Sequence, residues 1–199
     1  MKRWTQLKMI VLITTFASVA NAQSVSFQNI SDSVLGRNYD PATSIADSAN
    51  PNKLLIGIHS GYDPKSWTNL AFLASTGGFA TTKTHDSLSV DIVAPPGYGI
   101  SQIIYRQTIQ ASKTRIASYS STISWTVDGL KQAVSALTSG IKTSTAQFSA
   151  PRTVVRVQLD SALSATNRVY LSPTRYATAG SAGIMILSPS LEAKLVPMP

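Results

Sequence analysis

Apolar and polar residues alternate along four stretches of the chain, residues 88–92, 123–127, 155–159 and 191–195. In each stretch the apolar side chains occupy every second position, so they share one face of an extended segment. The opposite face carries Ser, Thr, Asp, Arg, Gln, Glu or Lys. This pattern predicts four half-buried β-strands, with Trp125 in the core.

Turn residues separate the strand candidates. Asp128-Gly129 is a two-residue turn of the kind that β-hairpins prefer, because both positions tolerate positive φ. Residues 111–114 are short and polar and predict a second hairpin connection. Residues 31–52 are rich in Ser, Asp, Asn and Pro, which predicts a loop.

One segment fits two structures. Leu130, Val134, Leu137 and Ile141 fall at roughly helical spacing, although the neighbouring Ser, Thr and Gly residues weaken a helix. The segment is therefore either a short amphipathic helix or a continuing strand.

The chain as a whole contains about eight to ten short strand candidates with turn residues between them. All-β chains of this size usually fold as sandwiches or barrels. We therefore expect an all-β fold, namely an antiparallel two-sheet β-sandwich with at most one short helix, and a jelly roll is one such arrangement. We expect residues 23–199 to form this single domain.

The first 22 residues have the three parts of a cleavable signal peptide. Lys2 and Arg3 give a basic start, residues 9–20 form an apolar run, and an Ala-Asn-Ala site ends at Ala22. We expect cleavage after Ala22, which makes Gln23 the first residue of the mature protein. The apolar run is shorter than a spanning helix, which favours cleavage over a retained membrane anchor. We also expect a bacterial protein that is periplasmic or secreted, with no membrane span after cleavage, because no later stretch is long enough to cross a bilayer.

Composition removes several classes of chemistry. The chain has no Cys, which rules out disulfides, thiol catalysis and Cys-based metal sites. Only 13% of residues are charged, and 28 Ser and 20 Thr favour strands over long helices. The net charge is +8 but the basic residues are scattered, so we expect no nucleic-acid partner. We find no common catalytic or cofactor-binding motif and expect a non-catalytic protein without a cofactor.

Aromatic residues near turns are the first candidate site. Tyr62 and Trp67 flank the Asp63-Pro64 turn, and Tyr98 follows a double proline. Sugars stack on exposed aromatic rings while nearby Asp side chains bind their hydroxyls. These residues therefore predict a carbohydrate-binding site made of Tyr62, Asp63, Trp67 and Tyr98, unless the rings cap the ends of the core.

The two histidines are a second candidate. His59 ends a strand candidate, His85 is expected in a polar loop, and Asp63 and Asp86 are close in sequence. Two His and two Asp can hold a divalent metal or form a base with its orienting acid. The spacing matches no familiar set of ligands, so two surface histidines near turns are the alternative, and we predict no metal.

The function most consistent with these features is that of an exported, non-catalytic structural or adhesive protein of the cell surface or extracellular matrix. The alternatives are a carbohydrate-binding module, which uses the loop aromatics, and a secreted hydrolase whose site is unrecognised. Partners are a polysaccharide or further copies of the chain, joined through the N-terminal strand at 25–30 or through sheet edges. Pairing of that strand within its own sheet is the alternative.

Overall fold

The computed structural model describes residues 23–32, 39–58, 61–63, 66–68, 70–74, 80–113, 118–134, 139–167, 170–172, 175–178 and 181–199. Within these residues the chain forms fifteen β-strands and no helix. The strands are β1 (Ser26–Asp32), β2 (Tyr39–Asp47), β3 (Asn50–Ile58), β4 (Gly61–Asp63), β5 (Ser66–Thr68), β6 (Leu70–Ala74), β7 (Ala80–Val93), β8 (Tyr98–Lys113), β9 (Ser118–Val127), β10 (Leu130–Val134), β11 (Gly140–Arg152), β12 (Val154–Asn167), β13 (Tyr170–Ser172), β14 (Arg175–Thr178) and β15 (Ser181–Pro197).

The first sheet has five strands in the order β1-β7-β12-β9-β10, and all its pairings are antiparallel. Its centre is the long pairing of β7 with β12. Alternation along these strands sends one set of side chains inward, as the sequence predicts. The buried set is Leu88, Val90, Ile92, Val155, Val157 and Leu159.

The second sheet has the order β11-β8-β15-β3-β2, with β6 also paired to β15. The first part of β15 lies beside β6 and the later part lies beside β3. Its register shifts between Leu187 and Ser190, where Ser188 has a φ of 48°. The bulge therefore falls where β15 exchanges one neighbour for the other, which is a common use of such irregularities.

The core lies between the two sheets. Trp125 of the first sheet is fully buried, and its ring centroid is 5.9 Å from that of Tyr105 in the second sheet. Trp125 Nε1 also donates a hydrogen bond of 2.9 Å to Ser144 Oγ on β11. The expected all-β, antiparallel two-sheet sandwich and the core position of Trp125 are confirmed.

The predicted loop over residues 31–52 is largely wrong, because β2 and the start of β3 occupy most of it. Residues 33–38 lie outside the described part of the chain. β2 is an edge strand whose polar residues bond locally: Asp40 accepts hydrogen bonds from Ala42 N at 3.0 Å and Thr43 Oγ1 at 2.9 Å. Its register with β3 shifts between Asp40 and Ile45, so the loop-like composition marks an irregular edge strand.

Two other sequence interpretations are settled by the strand bounds. Residues 130–134 are the strand β10 and β11 begins at Gly140, so the strand interpretation is right for these residues, whereas residues 135–138, with Leu137, lie outside the described part of the chain. The hairpin predicted at 111–114 is wrong, because β8 and β9 belong to different sheets. The hairpin turn at Asp128-Gly129 is confirmed, with φ values of 49° and 81°.

The strands are also more numerous and often longer than the sequence suggests. β7 and β12 have 14 residues each and β15 has 17. The N-terminal strand β1 pairs antiparallel with β7 of its own chain. Exchange of β1 between copies stays a prediction.

Candidate functional site

A pocket of about 750 Å³ opens where β3 begins, β8 begins and β15 nears its end. This volume lies within the usual range for small-molecule sites. Its lining is mostly polar and consists of Gln23, Asn50, Asn52, Tyr98, Glu192, Ala193, Lys194 and Leu195. We call it the Glu192 pocket.

Glu192 is the only Glu of the chain and is one of the residues that line this pocket. Its neighbours Leu191 and Ala193 are core residues, so alternation turns Glu192 to the outer face of the second sheet. Glu192 Oε2 receives a hydrogen bond of 3.0 Å from Arg106 Nη1, and Oε1 is bonded by Lys194 Nζ. The carboxylate is therefore held between two cations from β8 and β15.

The electrostatics of Glu192 follow from these contacts. Lys194 lowers the pKa of Glu192 below its ordinary value, with help from Arg106 and Asn50, although burial of the carboxyl acts in the opposite direction. The group is thus ionised at neutral pH and engaged on both oxygens. Such a carboxylate is suited to a fixed structural charge rather than to proton transfer, which requires a pKa near the working pH.

A chain of hydrogen bonds joins the pocket to the N-terminal segment. Val25 N donates to Asn52 Oδ1 at 3.0 Å, Asn52 N donates to Asn50 Oδ1 at 3.2 Å, and Asn50 Nδ2 donates to Glu192 Oε1 at 3.3 Å. Val25 itself is buried in the core. These contacts anchor the chain at Val25, two residues after Gln23, and fix the orientation of both asparagine amides.

Tyr98, one of the predicted sugar-contacting residues, lines this pocket. It is half-buried at the first position of β8, after the turn at 96–97, and its backbone N–H donates to Pro95 O at 3.1 Å. Gly97, with a φ of 77°, lets the chain enter β8 at this point. The pocket therefore combines one aromatic ring with amide, ammonium and carboxylate groups.

The other predicted aromatic residues lie on a separate two-stranded sheet, β4-β5. Tyr62 pairs directly with Trp67, and Asp63 pairs with Ser66. Pro64, between the two strands, lies outside the described residues, and a site made of Tyr62, Asp63, Trp67 and Tyr98 stays a prediction.

The predicted metal candidates do not form one group. His85 is on β7 rather than in the expected polar loop, and it is exposed, whereas the adjacent Asp86 is fully buried. Adjacent strand residues point to opposite faces, so these two side chains cannot share an ion. His59 lies outside the described residues, and among the described ones no group of three His, Asp or Glu is placed to hold a metal.

Asp86 has a different role in the structure. Its Oδ2 accepts a 2.8 Å hydrogen bond from the backbone N–H of Tyr39, which joins β2 of the second sheet to β7 of the first. Tyr39 is also buried, and burial raises its pKa to about 12. Tyr105 is buried too, and its hydroxyl donates to Gln107 Oε1 at 2.6 Å. Both phenols are therefore neutral interior groups.

The sequence interpretation missed Glu192, Asn50, Asn52 and Lys194. One signal was available, because a single Glu in a chain this rich in Ser and Thr is unusual. The contacts were not available, since Arg106 and Asn50 are 86 and 142 positions away from Glu192. Only the pairing of β15 with β8 and β3 brings them together.

Comparison with known proteins gives no relative for this arrangement: no family model, curated protein or solved structure matches the chain. In the described part of the chain we also find no helix with the length and apolarity needed to cross a membrane. Any assignment of function therefore depends on the pocket and the sheets themselves.

Proposed function

We propose that the chain is an exported, non-catalytic adhesive protein of the cell surface or extracellular matrix that binds polysaccharide in the Glu192 pocket. The observation that carries this proposal is the composition of the pocket lining. One tyrosine ring, three side-chain amides, a carboxylate and an ammonium line a pocket of about 750 Å³. Export is supported by the signal-peptide pattern of residues 1–22.

The chemistry of the lining suits a sugar. A sugar ring presents an apolar face, which stacks on an aromatic ring, and a rim of hydroxyls, which need both donors and acceptors. Tyr98 supplies the ring, while Asn52, Gln23 and Lys194 supply donors around it. Orientation is fixed in advance, since both asparagines are already held by hydrogen bonds, and such preorganisation favours binding.

The charges favour binding over hydrolysis. A glycosidase needs two carboxyl groups across its substrate, one of which donates a proton. Among the described residues Glu192 is the only acid that lines this pocket, and its pKa is lowered rather than raised. Arg106 and Lys194 together outweigh the single carboxylate, so an acidic polysaccharide is favoured over a neutral one.

Calorimetric titration of the purified protein with polygalacturonate, alginate and dextran tests the proposal. We expect binding to at least one acidic polymer, and we expect Tyr98→Ala and Lys194→Ala to weaken it about tenfold, the equivalent of one stacked ring or one charged contact. Lys131→Ala is the matched control, because Lys131 is an exposed lysine on β10 of the other sheet.

Thermal unfolding of each variant separates loss of binding from loss of the fold. Absence of binding to every polymer would refute the proposal. Equal binding by the wild type and both pocket variants would also refute it, and would redirect the search for the site to the pair Tyr62 and Trp67.

A further inference from the structure

The two sheets leave five edge strands among the described residues: β1, β10, β2, β6 and β11. Exposed edges can pair with other chains, and proteins usually protect them with bulges, proline, charge or shortness. β1 has a bulge between Gln28 and Ser31, β2 has two register shifts and Pro41, and β6 and β10 have only 5 residues each. Four of the five edges thus carry a recognised protection.

β11 is different. From Gly140 to Gln147 it follows β8 in unbroken register, and the first irregularity comes only after Gln147. This stretch contains no proline and a single charged residue, Lys142. Ile141 on its outer face is 75% exposed, which is the highest exposure among the large hydrophobic residues described. β11 is therefore a long, regular and weakly charged edge.

We propose that two copies of this chain pair antiparallel along β11, related by a two-fold axis at Ser144. In this register residues 141–147 of one copy lie opposite the same residues of the other, with each position i opposite position 288 − i. Thr143 then lies opposite the partner's Thr145, and Ile141 lies opposite the partner's Gln147, which covers its exposed side chain. Thr143 and Thr145 are both exposed on the outer face.

The charges of the strand are compatible with this register. Lys142 falls opposite the partner's Ala146, so no like charges meet across the pairing. Thr is well suited to strand pairing and cross-strand Thr pairs are favourable. A second copy of this chain therefore fits the β11 edge better than a chain that has a basic residue opposite Lys142.

The dimer has a consequence for the Glu192 pocket. A two-fold axis perpendicular to the sheet keeps both outer faces on one side, and β15 is the second strand inward from β11 in each copy. Five strand spacings then separate the two Glu192 residues, about 24 Å in a sheet whose strands lie about 4.8 Å apart. Two pockets at this spacing can engage one polymer. This consequence rests on the proposed function, whereas the pairing itself does not.

Sedimentation analysis over a concentration series tests the pairing. We expect the wild type to dimerise, and we expect the double variant T143K/T145K to raise the dimer dissociation constant at least about tenfold, because two lysine pairs then oppose each other across the axis. The variant T143E/T145K places opposite charges at the same contacts, so its dissociation constant should return to within about threefold of the wild type.

The matched control is S26K/Q28K, which adds two lysines at exposed positions of the protected edge β1 and should leave dimerisation unchanged. Circular dichroism checks that each variant is folded. A wild type that stays monomeric at every concentration would overturn the proposal. So would a dimer that T143K/T145K leaves intact, or one that T143E/T145K fails to restore.

Discussion

Replacing Trp125 by Phe removes the indole N–H that joins the two sheets. Trp125 is fully buried on β9, and its Nε1 donates to Ser144 Oγ on β11 at 2.9 Å. Its ring also lies near Tyr105, at an interplanar angle of 41°. The substitution keeps an aromatic ring in the core but deletes the hydrogen bond and part of the buried volume.

The expected loss of unfolding free energy and the expected coupling energy follow from the burial of Trp125 and from its hydrogen bond. Truncation of a buried Trp to Ala costs about 3–5 kcal/mol, so Trp125→Phe, which keeps most of the ring, should cost about 1–3 kcal/mol of unfolding free energy. A neutral hydrogen bond makes a net contribution of about 0.5–1.5 kcal/mol to stability. The coupling energy between Trp125→Phe and Ser144→Ala should fall in that range.

Urea unfolding of the wild type, both single variants and the double variant measures this coupling, with far-UV circular dichroism as the signal. The double-mutant cycle cancels any other contact that Ser144 makes. A coupling energy that is zero within error would refute the reasoning, because the two side chains would then not interact across the sheets.

Three further predictions concern individual positions. Gly57→Ala should cost about 1–3 kcal/mol in urea unfolding, because a Cβ there would lie 2.5 Å from the Asp40 carbonyl oxygen; unchanged stability would contradict this packing. Gly129→Ala, at a φ of 81°, should cost about 1 kcal/mol, and an increase in stability would contradict the turn geometry. Arg156 lowers the pKa of Asp91 to about 2. The stabilising contribution of this ion pair is therefore complete at pH values above the ordinary pKa of Asp, and it is lost as pH falls toward 2. Asp91→Asn should therefore flatten the fall of melting temperature between about pH 4 and 2, and an unchanged slope would count against the pair.

The regular part of the fold was readable from the sequence because burial on one face leaves a period of two. Leu88, Val90 and Ile92 are all buried, and Asp91 between them turns outward to meet Arg156 of β12. Asp91 on the outer face was expected, but its ion pair was not. The pairing partner is 65 positions away, so no local pattern could indicate it.

The prediction for the irregular part of the fold, the edge strand β2, failed for a physical reason. Residues on β2 bond to each other, as Asp40 does with Ala42 and Thr43, and such local bonds give an edge strand the composition of a loop. The strand is nevertheless fixed at Tyr39, which is buried and bonded to Asp86 of the other sheet. One buried aromatic in a polar stretch was the only local sign of it.

The candidate site was the least accessible to sequence reasoning. Tyr98 was identified as an aromatic residue after a turn, but the groups around it come from β3 and β15. Glu192 alternates with core residues like any outward strand position, and its role in the site depends on the two cations that bond it. Sequence patterns give faces of strands, whereas a site of this kind needs the register between them.

Binding of polysaccharide in the Glu192 pocket is tested most directly by an NMR titration of the isotope-labelled protein with an acidic oligosaccharide. We predict amide shifts concentrated at Asn52, Tyr98, Glu192 and Lys194, and weaker shifts in the Lys194→Ala variant. Shifts concentrated at Tyr62 and Trp67, or no shifts at saturating ligand, would contradict the claim that the Glu192 pocket binds polysaccharide.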